Sequence, residues 1–317
     1  MQERPTIIGV DVAKAELVMS AFDQQSTQCI PNSAEPIEAW LDGLPTGSMI
    51  AMESTGAFHQ VLARLAHQRG MVVYVLNARD VYFYSQGLGS RAKTDRVDAR
   101  VIARYVAEHH RQLHPWRPGS SERTEVEELL RRRALLVAKR DAVRQTLRGC
   151  GSMKGELAAL IGAFDATLKA LDGRVQQLIA ADEELAKSQQ RIQTVVGFGP
   201  QASALLAVLL SRIAFRSADA LVAYSGMDLR ANDSGRKRGK RVLSKRGAPS
   251  LRRQWYLSGL SASRSKACKP IYEALRARGL SSTEAFLILG RKLLRIAYAV
   301  WKTGQPFDPG RLAPKST

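Results

Sequence analysis

The chain has only three cysteines, Cys29, Cys150 and Cys268, odd in number and far apart. They build neither a disulfide framework nor a zinc site, which fits a reducing compartment. No apolar run reaches the roughly 18 residues a membrane helix needs, and there is neither a signal-peptide pattern nor a lipidation motif. Histidine stops at His114, with His59, His67, His109 and His110 before it, so a Ser-His-Asp triad is not suggested for the serine-rich C-terminal region. Acids become scarce in the same region. Residues 201–317 hold 23 Lys/Arg against 6 Asp/Glu, which is 17 of the formal charge of +19, while residues 1–118 balance at 12 and 12 and residues 119–200 at 13 and 11. A basic block of this kind, on a chain of pI near 10.3, is the footprint of a polyanion partner, usually nucleic acid. The expectation is a cytoplasmic protein, nucleoid-associated when acting, with no membrane partner.

Four carboxylates are the most informative residues present: Asp11, Glu53, Asp95 and Asp98. Asp11 closes the β-branched run Thr6-Ile7-Ile8-Gly9-Val10, and Glu53 closes Met49-Ile50-Ala51-Met52, so both project from strand ends. Asp95 and Asp98 lie three residues apart, where Thr94 can cap a helix continuing through Val101, Ile102, Ala103 and Tyr105. Residues at i and i+3 share a helix face, so both acids can point at one place. Four oxygen ligands from two strand ends and one helix suit one or two Mg²⁺ ions, with Mn²⁺ as a substitute, and metal-dependent phosphodiester chemistry. A single such acid would more often merely complement a helix dipole; the set of four favours metal binding.

Residues 1–118 alternate strand and helix signals. Glu16 to Phe22 read as a hairpin partner of the first strand, Ile37 to Leu44 as a short helix, Ala57 to Arg69 as an amphipathic helix, Met71 to Leu76 as a strand and Asp80 to Gln86 as a helix. Such mixed alternation implies an α/β layer sheet, with ligands gathering outside the strand ends. The segment His114-Pro115-Trp116-Arg117-Pro118-Gly119 breaks the pattern. Residues 119–190 then read as an antiparallel coiled-coil region: a helix from Ser121 to about Leu147, and a second with the heptad seam Leu157, Ile161, Phe164, Leu168, Leu171, Val175 and Leu178. It can pair within the chain or with another copy. Residues 191–317 read as a basic, mostly α domain. It opens with the turn Gly197-Phe198-Gly199-Pro200, which resembles a helix-hairpin-helix holding a DNA phosphate on backbone N–H groups and equally suits a tight turn between packed helices.

From Arg230 to Arg253 the chain carries ten cations and one acid, Asp233. Arg230, Arg236, Lys237, Arg238, Lys240, Arg241, Lys245, Arg246, Arg252 and Arg253 are candidates for phosphate contact, and Gly235, Gly239 and Gly247 allow close approach of the backbone. Ser234 sits beside Gly235 amid these cations, where a hydroxyl could attack phosphorus. Composition alone does not separate it from Ser225, Ser244, Ser250, Ser258, Ser261, Ser263 and Ser265.

Taken together, Ile8-Gly9-Val10-Asp11-Val12-Ala13-Lys14, Glu53-Ser54-Thr55-Gly56, Lys93-Thr94-Asp95-Arg96-Val97-Asp98-Ala99-Arg100, Gly197-Phe198-Gly199-Pro200, Ser234-Gly235, Ser244-Lys245-Arg246-Gly247 and Leu251-Arg252-Arg253 closely resemble, in order and spacing, the DEDD-type insertion-sequence transposases. This is the group related to the Piv invertase and described as bridge-RNA-guided recombinases. The resemblance implies an RNase H-like, RuvC-like N-terminal domain whose Asp11, Glu53, Asp95 and Asp98 bind Mg²⁺, and a C-terminal transposase domain whose nucleophile falls on Ser234. It implies a phosphoserine link to DNA that keeps bond energy for strand exchange. It also implies a homo-oligomer, dimer or tetramer, uniting the acids of one subunit with the serine of another, and a noncoding RNA that pairs with donor and target DNA.

Other readings account for less. A Holliday-junction resolvase type of nuclease keeps the acids but uses water as the nucleophile. An actin-like or sugar-kinase ATPase needs a glycine-rich phosphate turn after the first Asp, where this chain has Val12-Ala13-Lys14. A non-catalytic nucleic-acid-binding protein explains the basic region and leaves the acids without a purpose.

Overall fold

The structure, a computed structural model, describes residues 5–24, 26–54, 58–89, 95–230, 239 and 241–312, with the side chains of 95–97 and 311 not among them. The chain forms two compact units, residues 1–118 and 119–317.

The first unit is built on a five-stranded sheet in the order β3-β2-β1-β4-β5. Its strands are β1 (Ile7–Val12), β2 (Glu16–Ala21), β3 (Thr27–Pro31), β4 (Met49–Glu53) and β5 (Val72–Leu76). β1 pairs antiparallel with β2 and β2 with β3, whereas β1, β4 and β5 run parallel. This mixed topology is compatible with the RNase H-like fold. Between and after the strands come α1 (Ala34–Asp42), α2 (Gln60–Gln68), α3 (Ala78–Gly87) and α4 (Asp95–His109). The strand period of two divides the apolar side chains between two cores. Ile8, Val10, Val12, Ile50 and Met52 pack with Ile37 and Leu41 of α1 and Leu62 and Leu65 of α2. Ala51, Tyr74 and Leu76 pack with Val81 of α3 and Val101, Ile102 and Val106 of α4.

Several details differ from the sequence expectation; α2, for one, opens at Gln60 rather than Ala57. β1 continues one residue past Asp11 to Val12, because the hairpin with β2 holds Val12 against Leu17. α1 begins at Ala34, three residues before the expected Ile37, and stops before Gly43. β3 is an added edge strand, polar and largely exposed, whose Gln28 and Cys29 give no apolar alternation to read.

In the second unit, α5 (Ser121–Thr146) and α6 (Lys154–Ala180) form an antiparallel hairpin. Its partners run in opposite senses along the two helices: Glu125 with Arg174, Arg133 with Asp172 and Arg140 with Asp165, at 3.0, 2.5 and 2.7 Å. Ser120, one residue before the segment expected to cap α5, is the cap; its Oγ accepts from the Arg123 N–H. Burial along the α6 seam is graded, with Leu168, Val175 and Leu178 buried near the root and Leu157, Ile161 and Phe164 only half covered toward the tip. The remaining elements are α7 (Glu183–Gln193), α8 (Pro200–Arg212), α9 (Ala218–Tyr224), the short pair β6 (Leu229–Arg230) and β7 (Val242–Leu243), α10 (Pro249–Ala262), α11 (Lys269–Ala277) and α12 (Ser282–Thr303). One core unites the helices with the hairpin root, with Trp255 fully buried and stacked on Phe198 at 5.6 Å. Among the described residues, no helix is long and apolar enough to cross a membrane.

Candidate catalytic site and nucleic-acid interface

The sheet register fixes two of the four acids. Val10 of β1 pairs with Met52 of β4, so one residue further along these parallel strands Asp11 and Glu53 stand level, on neighbouring strands about 4.8 Å apart. They also share a face. Val10 and Met52 belong to the core beneath α1 and α2, so by alternation Asp11 and Glu53 belong to the opposite face, with Gly9 and Ala51, beneath α4.

Gly9 brings α4 down onto that face. A Cβ at residue 9 would stand 2.1 Å from the Ala99 carbonyl oxygen and 2.4 Å from the Ala103 nitrogen, so the helix backbone rests directly on the strand. Ala99, Ile102, Ala103 and Val106 are fully buried and mark the sheet-facing stripe of α4. Spacing places positions 95 and 98 on the same stripe, at its N-terminal end. Asp98 is next to Ala99 in sequence, and Gly9 is two residues from Asp11. Asp11, Glu53 and Asp98 are each half-buried. The Asp95 backbone opens α4, and its side chain lies outside the described residues. Among the described residues no three acids, histidines or cysteines are gathered at metal-ligand spacing.

Two further sets of contacts brace the unit, the first close to Asp11 and the second at the far, C-terminal end of α4. The Asn32 side-chain amide donates to the carbonyls of Ala13, two residues past Asp11, and Phe58, five past Glu53, at 2.8 and 3.2 Å. α3 and α4 are tied by Tyr84, whose hydroxyl donates to Glu108 at 2.6 Å, while Arg104 donates to the same carboxylate at 2.9 Å. Burial first, and then this bond, push the Tyr84 phenol up to about 12; the Tyr84 hydrogen bond, with Arg104 behind it, holds Glu108 below the usual carboxylate value. Neither Gly9 nor Asn32 was singled out by sequence reasoning. For Gly9 a signal existed, since a glycine inside an otherwise β-branched strand marks close approach of another backbone. For Asn32 none did.

In the second unit the basic segment grows from a locked root. A Cβ at Gly247 would stand 2.1 Å from the Tyr224 carbonyl oxygen, and one at Gly226, whose φ is 65°, would stand 2.5 Å from the Gly247 nitrogen. The two stretches therefore cross backbone against backbone. Ser244 donates to Asp228, Arg252 donates to the Gly247 carbonyl, and Lys245 adopts a left-handed φ of 56°. Arg230, Arg241, Lys245, Arg246 and Arg253 are exposed, whereas Arg252 is half-buried. Ser234, Arg236, Lys237, Arg238 and Lys240 lie outside the described residues.

The structure also separates the serines near Ser234 in sequence. Ser225 is fully buried, donates to the Leu221 carbonyl and accepts from Trp255 Nε1 at 3.0 Å. Ser258 and Ser263 are buried, and Ser265 donates to the Ala262 carbonyl at the start of the α11 approach. Ser250 and Ser261 are exposed. Gly197, at φ 87°, is required by packing: its Cβ would lie 2.4 Å from the Ser258 carbonyl oxygen of α10. Gly199 precedes α8 with nothing within 4 Å of its Cβ position.

Two family models match the chain, one described as "Transposase" over residues 8–150 and one as "Transposase IS116/IS110/IS902 family" over residues 189–273. The chain belongs to the Piv-related IS110 family of transposases. It is 27% identical to the pilin gene-inverting protein of Moraxella bovis over 318 residues, covering 96% of this chain and 98% of the relative. It is 28% identical to the protein of the same name from Moraxella lacunata over 266 residues, covering 82% and 81%. The first model spans both acid-bearing strands and α4; the second spans the locked root and its basic segment. Membership of a transposase and site-specific recombinase family implies an enzyme acting on DNA.

Proposed function

We propose that this transposase cuts and rejoins DNA through a phosphoserine intermediate on Ser234, with Mg²⁺ held by Asp11, Glu53, Asp95 and Asp98. The observation that supports the metal site is the docking of α4 on Gly9, which covers with the acid-bearing helix the sheet face to which the β1–β4 register assigns Asp11 and Glu53. An all-carboxylate donor set is what Mg²⁺ favours over softer metals. When bound, the ion supplies charge stabilisation for displacement at phosphorus.

The acids bind and orient. β1 and β4 fix the separation of Asp11 and Glu53, and α4 delivers its pair as one rigid piece. The exposed Arg230, Arg241, Lys245, Arg246 and Arg253 engage DNA phosphates and favour attack on an anionic centre. In the chemical step the Ser234 hydroxyl gives up its proton, its Oγ bonds to phosphorus, and the deoxyribose oxygen of the cut strand leaves and takes a proton. One phosphodiester is exchanged for another, so a second hydroxyl can reverse the exchange and join a new strand. The burial of Ser225, Ser244, Ser258 and Ser263, with the hydrogen bonds of Ser225, Ser244 and Ser263, supports the assignment to Ser234 by removing competitors.

A noncoding RNA supplies sequence choice in this reading, leaving the protein to read backbone and shape. Donor and target DNA are brought together by a homo-oligomer. Exposed leucines on the α5–α6 hairpin, Leu160 toward its tip at 45% and Leu135 midway along α5 at 54%, support coiled-coil pairing with a second copy.

The test is a denaturing gel for a covalent protein–DNA adduct, using purified protein, RNA transcribed from the flanks of its gene, matching DNA and Mg²⁺. The expected adduct disappears in Ser234→Ala, in Asp11→Ala, with EDTA and without RNA. Cleaved DNA free of adduct and undiminished in Ser234→Ala would establish a hydrolytic RuvC-like nuclease instead.

A further inference from the structure

We propose that the cleft between α10, α11 and α12 is a binding pocket for one unpaired nucleotide of a single-stranded nucleic acid. The inference rests on the nucleic-acid reading above and adds a site distinct from the acids and the basic segment.

The cleft, about 410 Å³, is lined by Ser263, Arg264, Lys269, Tyr272, Glu273 and Phe286. That volume lies in the range of small-ligand pockets. Its wall is aromatic. Tyr272 and Phe286 stack at 5.2 Å with planes 9° apart, and Tyr256 meets Phe286 edge-on at 5.8 Å. The Tyr272 hydroxyl donates to Ser282 Oγ at 3.2 Å, which fixes the ring plane from α12. All three rings are only half-buried. A fixed, partly open aromatic surface in water is a platform on which a base can stack, and stacking is indifferent to base identity.

The rim supplies the second half of a nucleotide site. Arg264 and Lys269 are exposed on either side of the turn that leads into α11. The first turn of that nine-residue helix lies at the cleft, so its dipole adds to the two cations in favouring a phosphate. Glu273 lies one turn on at 3.8 Å from Lys269 Nζ, an exposed pair in which the acid is partly neutralised rather than set alone against an anion. A flat apolar wall beside a cationic rim matches a base joined to its phosphate. It does not match duplex DNA, whose bases are stacked inside.

The experiment measures fluorescence anisotropy of labelled dT and rU 12-mers and of a 12-bp duplex on the full-length protein, with Tyr272→Ala, Tyr272→Phe and Lys269→Gln beside wild type. The expected result is a loss of affinity for the single strands of about 5- to 20-fold in Tyr272→Ala, near wild-type binding in Tyr272→Phe, and less than 2-fold change for the duplex. Lys269→Gln, an exposed substitution that leaves the core untouched, is expected to flatten the salt dependence of single-strand binding by about one ion. It keeps the test open if Tyr272→Ala does not fold. A preference for rU over dT identifies RNA as the strand held, through its 2′-hydroxyl; equal binding identifies either strand through base and phosphate alone. Equal losses for single strands and duplex, or no loss in any variant, overturn the pocket while leaving the nucleic-acid reading in place. Wild-type protein that binds neither form overturns both.

Discussion

Replacing Gly9 with alanine tests the placement of the acids most directly. The new methyl would stand 2.1 Å from the Ala99 carbonyl oxygen and 2.4 Å from the Ala103 nitrogen. These are helix backbone atoms, so no rotamer change relieves the clash; α4 must retreat by about 1.3 Å to restore an ordinary 3.4 Å contact. Overpacking of this kind costs about 1–3 kcal/mol, of which Gly→Ala recovers about 0.4–1 through the unfolded chain. The net loss of about 1–2 kcal/mol lowers Tm by roughly 4–10 °C for a unit of this size. The larger effect is expected on chemistry. Asp95 and Asp98 ride on α4 while Asp11 and Glu53 stay on the sheet, and a 1 Å misplacement of catalytic groups costs on the order of 10²-fold in rate. Single-turnover formation of the protein–DNA adduct, measured beside thermal unfolding and DNA binding, separates the two. The reasoning is refuted by a Gly9→Ala protein with unchanged Tm and an unchanged adduct rate, because α4 would then not rest on β1.

Gly162, inside α6 with nothing within 4 Å of its Cβ position, gives the opposite sign: Gly162→Ala should stabilise by about 0.5–1 kcal/mol and raise Tm, and a fall in Tm would count against the described hairpin face. Ser225→Ala strands the buried Trp255 N–H and should cost about 1–3 kcal/mol in urea unfolding, yet leave adduct formation possible in the folded fraction. Complete loss of adduct at full folding would make Ser225 a rival nucleophile. Arg123 pairs with Asp182 through two hydrogen bonds, at 2.6 and 3.1 Å, and this pairing, before the Leu185 N–H, holds the Asp182 carboxyl below its ordinary 3.8. A depressed acid stabilises the fold above its unfolded pKa and that contribution is lost as pH falls from about 4 through the lower folded value. Urea titrations between pH 7 and 2.5 should show a steeper acid-side loss in wild type than in Arg123→Gln; parallel curves would dismiss the linkage.

Much of the first unit was legible because its signals are local. The apolar runs before Asp11 and Glu53 are too short for helices, the first of them β-branched as well, and α4 reads from its buried stripe; Thr94, its expected cap, lies outside the described residues. The seam spaced in threes and fours marked α6 as a packing helix but left its partner open, within the chain or in another copy; the ion pairs along α5 and α6 show the hairpin. What escaped was of two kinds. β3 is an edge strand with Ile30 alone packed against the core, so it offers no apolar alternation. The purposes of Gly9, Gly226 and Gly247 are contacts between segments distant in sequence, so composition gave the residue without its neighbour. Among the serines, packing removed Ser225 and Ser258 from contention, which no spacing rule could have done.

The crossing of Gly226 and Gly247 has a consequence for how such a chain can change. With both ends of the intervening stretch anchored backbone to backbone, its insertion or deletion leaves the scaffold's geometry alone, and doubling its length adds only about 0.6 kcal/mol of closure entropy. The segment is thus an exchangeable cassette on a fixed socket. The sequence between the two glycines can therefore change without re-engineering the helices beneath, whereas a side chain at either glycine would unseat the socket itself.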